Sequence, residues 1–206
     1  NLSNMDILRI DHFRGFDSYW EIPFGSENAI KGKLVKGPGK ELFDEILKEL
    51  GEIEIIAEDL GDVGPATELL RKSLDFPGMK ILQFGFEGES DNVYLPHNLE
   101  DSNSVIYSGT HDNDTSKGWY EKASEKNKDY YRKYLNVSGE DISWDFIRLA
   151  FASISKYAIV PIQDVMSLDS DDRMNLPGVG AGNWQFRYTS DMLNKEYIKG
   201  LSYISD

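Results

Sequence analysis

Five short apolar runs punctuate the chain: Ile7–Phe13, Glu54–Leu60, Met79–Phe86, Val105–Asp112 and Ala158–Val165. Each is rich in Ile, Val, Leu or aromatic residues, and most end in a polar or glycine-containing turn. That pattern predicts buried parallel strands. Between the runs the apolar period becomes helical. Gly39–Leu50 places Leu42, Phe43, Ile46, Leu47 and Leu50 on one face, with Gly51 as a stop. Pro65–Leu74 opens on a proline suited to a first helical position, and Leu69, Leu70 and Leu74 supply its inner side. Ser138 and Asp141 resemble a capping box that opens a helix over Ile142–Ser155, with Phe146, Ile147, Ala150, Phe151 and Ile154 facing inward. Ser190–Leu201 reads as a last helix. Lys117–Tyr134, charged and aromatic, reads as a solvated helix or helical insertion. Ser167–Arg173 and Pro177–Gly182 read as loops. Strand and helix alternate throughout, which predicts an α/β architecture on a parallel sheet. With no repeat and no low-complexity linker, residues 1–206 are expected to form a single domain.

Composition narrows the partners. The 206 residues suffice for one sizeable core, and 40% hydrophobic with 28% charged residues is a globular balance. A net charge of −14 argues against nucleic acid and anionic membranes, both of which need basic patches. A neutral substrate such as a sugar is compatible with it. No run approaches a membrane span. The first ten residues lack a basic-then-apolar leader, and cysteine is absent. The expectation is a cytoplasmic protein with no disulfide and no thiolate metal site. The 4 Trp, 11 Tyr and 10 Phe suit the apolar faces of sugars, although a core uses such rings more often.

Chemistry concentrates at strand ends. In Arg9-Ile10-Asp11-His12-Phe13-Arg14-Gly15-Phe16, strand alternation puts Arg9, Asp11 and Phe13 on one face. A guanidinium beside a carboxylate favours its ionised form, as a carboxylate nucleophile requires, and a purely structural ion pair would look the same. Two more motifs end apolar runs, Ile55-Ile56-Ala57-Glu58-Asp59-Leu60-Gly61 and Ser108-Gly109-Thr110-His111-Asp112-Asn113-Asp114-Thr115. Carboxylates at the C-terminal ends of parallel strands converge where barrel active sites are built. Glu58 and Asp59 are neighbours, so only one can enter the site, and alternation does not say which. Two carboxyl groups flanking a scissile bond are the working part of a glycosidase: one ionised, one kept protonated to serve the leaving oxygen. Asp11 suits the first role, and Glu58, after Ile55-Ile56-Ala57, the second. A competing chemistry is an oxygen-rich Mg²⁺ or Mn²⁺ site from His111, Asp112 and Asp114 with Asp11 or Glu58. Of the other histidines, His97 lies in a loop where it could touch substrate.

Together these three motifs resemble the 4-α-glucanotransferases, the amylomaltases or disproportionating enzymes of glycoside hydrolase family 77 in the α-amylase clan. Met174-Asn175-Leu176-Pro177-Gly178 and Asn183-Trp184-Gln185-Phe186-Arg187 resemble the same family's C-terminal signature. The resemblance implies a (β/α)8 barrel of which this chain supplies about strands four to eight. It implies Asp11 as nucleophile, Glu58 as general acid/base and Asp112 as the third carboxylate, which holds sugar hydroxyls. Arg9 and His111 would be first partners of nucleophile and sugar, Asn183 and Trp184 would lie near the substrate groove, and Asp59 would be a supporting neighbour. The substrate implied is an α-1,4-glucan, with no cofactor and no metal.

The resemblance extends only to the family's C-terminal part, so the first three strands and the N-terminal insertions are expected to be missing. Two sheet edges would then be open, and parallel sheets rarely expose edges. The expectation is a fragment inactive alone, which binds glucan or associates with itself or with the missing part through residues 1–13 and 158–166. A metal-dependent hydrolase on a similar scaffold is the third reading.

Overall fold

The computed structural model describes residues 4–61 and 63–205. They form two compact units that meet in sequence at Met79 and Lys80. Asn1, Leu2 and Ser3 of the expected open edge lie outside the described residues.

In the first unit β1 (Ile7–Ile10) ends earlier than the apolar run suggests. His12 takes a left-handed backbone, φ 50°, and Phe13–Phe16 forms one 3-10 turn. The turn redirects Phe13 off the face it was expected to share with Arg9 and Asp11. It is fully buried, with ring centroids 5.8 Å from Phe16, 5.6 Å from Phe43 and 6.1 Å from Phe76. The segment after it holds an antiparallel pair the pattern did not announce, β2 (Ser18–Glu21) with β3 (Lys33–Lys36). Its strands are four residues long, and Trp20 and Leu34 are exposed, so no buried face imposes a period.

Helix α1 (Gly39–Leu50) lays Phe43 and Ile46 on the core and stops at Gly51, whose φ of 78° suits glycine. Its last residue, Leu50, is exposed instead of inward. Strand β4 (Glu54–Ala57) pairs in parallel with β1, Ile7 opposite Glu54 through Ile10 opposite Ala57. Helix α2 (Pro65–Ser73) packs Leu70 inward, followed by Leu74, while Leu69 points to solvent.

Strand β5 (Gly78–Ile81) joins one unit to the next and continues as a helical turn, α3 (Leu82–Gly85). Strands β6 (Ser104–Tyr107) and β7 (Tyr157–Ile159) complete a sheet in the order β5-β6-β7, with β6 and β7 parallel. Lys117–Tyr134 is two helices, α4 (Ser116–Lys122) and α5 (Glu125–Leu135), broken where Ser124 caps the Asn127 N–H. Both carry core residues, contrary to the solvated helix expected. Trp119 and Tyr131 join Phe86 and Phe146 of α6 (Ile142–Phe151). The Tyr131 hydroxyl donates toward Asp145 Oδ2 at 3.3 Å, and burial pushes the phenol above its ordinary range.

The expected capping box does not form. Ser138 Oγ instead accepts from the Glu140 N–H, and α6 ends at Phe151, leaving Ile154 exposed. After β7 come the turn α7 (Ile162–Val165) and helix α8 (Lys195–Ser205), which starts later than the expected Ser190. Among the described residues no helix is long and apolar enough to cross a membrane.

Candidate active site

Parallel pairing brings the ends of β1 and β4 side by side, and two of the three expected carboxylates follow those ends directly. Arg9 Nη1 lies 3.0 Å from Asp11 Oδ1. The Arg9 Nε also points at Met79 Sδ, 3.2 Å away, so the guanidinium is oriented from both sides. The Asp11 side chain is 75% exposed and so accessible to a ligand.

Two backbone bonds carry the pairing past the strand ends. The Glu58 N–H donates to Ile10 O and the Phe13 N–H to Glu58 O, each at 2.9 Å. The left-handed turn at His12 then aims that residue's N–H at Glu58 Oε2, 2.6 Å away, while the Leu60 N–H donates to Oε1 at 3.0 Å. Glu58 and Asp59 therefore turn to different partners. Glu58 turns to the Asp11 segment. Asp59 turns away, its Oδ1 accepting from the Met79 N–H at 2.7 Å and its Oδ2 lying 3.0 Å from Arg71 Nε. A side chain at Gly78 would put a Cβ 2.4 Å from Asp59 Oδ2, which explains a glycine at that place.

In the second unit the chain leaves β6 through Ser108 into a turn at Thr110–Asn113. Asn113 Oδ1 accepts from both the N–H and the hydroxyl of Thr110, each at 2.9 Å. His111 Nε2 stands 3.5 Å from Asp112 Oδ2. Asn175 Nδ2 donates to Asp112 Oδ1 at 2.6 Å, and Arg173 Nη2 donates to the Asp112 carbonyl at 2.8 Å. Trp184 lies against His111, ring centroids 5.1 Å apart at 39°. Asp114 is committed elsewhere. Its Oδ2 meets Lys122 Nζ at 2.6 Å and Ser170 Oγ at 2.9 Å, and its Oδ1 accepts the Thr115 N–H. That leaves it poorly placed for the divalent-metal alternative, and among the described residues no group of three His, Asp or Glu side chains could hold a metal ion.

A family profile described as 4-alpha-glucanotransferase matches residues 1–193. The chain belongs to the 4-alpha-glucanotransferase family. It is 48% identical to the 4-alpha-glucanotransferase of Synechocystis sp. over its whole length, covering 41% of that protein. It is 43% identical to the enzyme of Thermus thermophilus, covering 40% of it with 93% of this chain. Among solved structures, an amylomaltase from Streptococcus agalactiae in complex with acarbose superposes with a TM-score of 0.94 at 37% identity, matching 99% of this chain to 41% of that one. The chain therefore spans about two-fifths of these relatives, and its α/β architecture corresponds to part of the glucanotransferase barrel.

Within this glucanotransferase segment, two residues expected near substrate have different surroundings. Trp184 has a left-handed backbone, φ 64°, an exposed ring, and an N–H donated to Met174 O. Asn183 spends its amide on its own loop: Oδ1 accepts the Leu176 N–H, and Nδ2 donates to Leu176 O and Val179 O. His97 is likewise engaged, Nδ1 with the Tyr134 hydroxyl at 2.8 Å and Nε2 with Ser90 O at 2.9 Å. Arg173 and Asn175 were missed as contributors. Asn175 stood inside the recognised Met174–Gly178 signature, but only the fold brings it to a carboxylate 63 positions earlier. Asp164 was missed too. Fully buried, it accepts Ser108 Oγ at 2.5 Å, the Ser116 N–H at 2.7 Å and Ser116 Oγ at 2.8 Å, which ties the end of β6 to the start of α4. Burial pushes its carboxyl above the ordinary range, against those hydrogen bonds.

Proposed function

We propose that the protein carrying this chain transfers segments of α-1,4-glucan to an acceptor glucan or glucose by double displacement with retention. The observation that carries this reading is the pairing at the ends of β1 and β4: Arg9 on Asp11, and the next backbone N–H on Glu58. In the first step Asp11 Oδ attacks the anomeric carbon while Glu58 gives a proton to the departing glycosidic oxygen, and a glucosyl ester forms on Asp11. In the second step the 4-hydroxyl of another glucan attacks that carbon. Glu58 takes its proton, and the ester bond to Asp11 breaks. Arg9 holds the nucleophile ready, and Asp112 with His111 takes sugar hydroxyls. Trp184 offers an exposed ring to an apolar sugar face. Asn183 serves the groove indirectly, as the staple of its loop. Transfer exceeds hydrolysis only where a sugar hydroxyl outcompetes water for the ester.

The two units together make up the C-terminal portion of one barrel domain. The chain on its own binds glucan or associates through open sheet edges, with itself or with the rest of the barrel, without turning substrate over. A cytoplasmic setting suits the acidic composition and the absence of cysteine.

The test is incubation with maltotriose and separation of products by size. A full-length polypeptide carrying this segment should yield both longer and shorter maltooligosaccharides, and a chelator should change nothing. Glucose and maltose alone would mean a hydrolase, and loss of activity on chelation would favour the metal reading.

A further inference from the structure

The segment Arg173–Trp184 is bonded to itself and reaches Asp112 and His111 from three of its residues. Arg173 anchors it: Nε donates to Asn175 O at 2.9 Å, Nη2 to the Asp112 carbonyl at 2.8 Å, and Nη1 lies 3.8 Å from Asp114 Oδ2. Asn175 then reaches the Asp112 carboxylate itself. The Asn183 amide closes the loop on Leu176 and Val179, and the Trp184 N–H returns to Met174 O. The closed loop thereby delivers the Trp184 ring to His111.

We propose that Arg173 and Asn175 are positioning residues for Asp112, and that Arg173–Trp184 is a strap which fixes the rotamer of that carboxylate. Asp112 is 54% exposed and lies on a turn, so packing alone holds its carboxylate plane weakly. A donor on Oδ1 fixes it. With Oδ1 occupied by Asn175, Oδ2 is left on the side of His111, and the pair His111–Asp112 presents one donor and one acceptor in a fixed relation. Sugar hydroxyls are recognised by such fixed pairs, and a carboxylate free to rotate would meet them only part of the time. Arg173 adds the main-chain half of the same constraint by holding the Asp112 carbonyl. The proposal rests on the reading of Asp112 as a sugar-binding carboxylate and adds what orients it.

The experiment compares Asn175→Ala, Asn175→Asp and Asp112→Asn in a full-length polypeptide carrying this segment, with kcat and KM for maltotriose measured across pH and the unfolding midpoint measured alongside. Asn175→Ala should lower kcat by about 10- to 100-fold, the scale of a misplaced reacting group, with the unfolding midpoint nearly unmoved because the site is exposed. Asn175→Asp keeps the shape but sets a carboxylate against Oδ1. It should be as poor at neutral pH and recover part of its activity as pH falls, when one proton shared between the two carboxyl groups restores a donor. His111 and Arg173, the other charged or titratable groups facing Asp112, are unchanged in both variants. A structural role alone would not produce that acid-side recovery. Asn175→Ala within twofold of the unaltered enzyme, while Asp112→Asn is inactive, would overturn the positioning role and leave the reading of Asp112 standing. Asp112→Asn at full activity would remove that reading and the proposal with it.

Discussion

The backbone N–H of His12 donates to Glu58 Oε2 at 2.6 Å, so the residue after the proposed nucleophile directly holds the proposed acid/base. The contact exists because His12 sits at φ 50°, where a non-glycine residue costs about 1–2 kcal/mol. That strain is tolerable if the turn is what brings the two carboxyl groups to one place. His12→Gly keeps the donor and relieves the strain, and transfer should persist with stability changed by no more than about 1 kcal/mol. His12→Pro removes the donor and cannot reach a positive φ, so both activity and stability should fall sharply. Equal activity in the two variants would show that the amide is irrelevant to catalysis.

Asp11→Asn should abolish transfer while the unfolding midpoint stays put, since the side chain is mostly exposed and its described partner is Arg9. Surface ion pairs of this kind contribute about 0–1 kcal/mol to stability. Glu58→Gln should behave differently. Both of its oxygens accept backbone N–H groups, and a glutamine must turn its NH2 toward one of them, at a cost of about 1–3 kcal/mol. It should also keep partial activity toward a donor with an activated leaving group, which needs little protonation. Equal loss with both donors in the first step would remove Glu58 from the acid role.

Asp59 should prove structural. It ties the Met79 N–H to Arg71, and both side chains of the pair are 12% exposed. Asp59→Ala should destabilise by about 3–5 kcal/mol, since Arg71 is left without its carboxylate. Gly78→Ala should also destabilise, by forcing the same carboxylate aside. In thermal melts both variants should unfold earlier. Asp59→Ala with an unchanged melt but no activity would reverse the assignments of Glu58 and Asp59.

Stability should carry an acid-side signature from Asp164. Its folded pKa is raised by burial, so the folded protein holds a proton there that the unfolded chain releases at ordinary carboxylate pH. Its contribution is therefore full below the ordinary carboxylate value and is lost as pH rises through the raised one. Asp164→Asn, which resembles the protonated form, should flatten that part of the stability–pH curve. A denaturant series from acid to neutral pH would show it, and an unchanged slope would count against it.

What the sequence made legible follows from distance along the chain. Arg9 and Asp11 are two residues apart, and alternation on a strand was enough to pair them. The choice between Glu58 and Asp59 was not available, because Ile55, Ile56 and Ala57 are all buried and give no inside or outside. It took Arg71 and Met79 to claim Asp59. Strand lengths were overestimated for a related reason. Leu82, Phe86 and Val165 are buried like strand residues, and apolarity in a core does not distinguish an extended run from the helical turns that carry Leu82 and Val165. Trp119 and Tyr131 were misjudged because charged neighbours in α4 and α5 mask a helix with an aromatic inner side. The link from Asn175 to Asp112 spans 63 residues and has no period to betray it.

The sheet edges should govern how the isolated chain assembles. Among the described residues β1 and β7 are edge strands, β1 paired with β4 and β7 with β6. Ile7, Leu8 and Ile10 are only half-buried, and Ile159 is 43% exposed. Each large apolar side chain left in water forgoes about 1.5–3 kcal/mol of burial. Several together are comparable with the ~5–15 kcal/mol that holds a domain folded. The isolated chain should therefore cover these edges by association, and residues 4–13 and 158–166 should be protected when it does. Lysine is the residue that native edge strands use to block such pairing. Leu8→Lys and Ile159→Lys should each shift the chain toward monomer in sedimentation velocity, most visibly at low concentration, and the double variant should shift it further. If the unaltered chain sediments as a folded monomer across the accessible concentrations, with both edges open to hydrogen exchange, the edges are tolerated and this expectation is wrong.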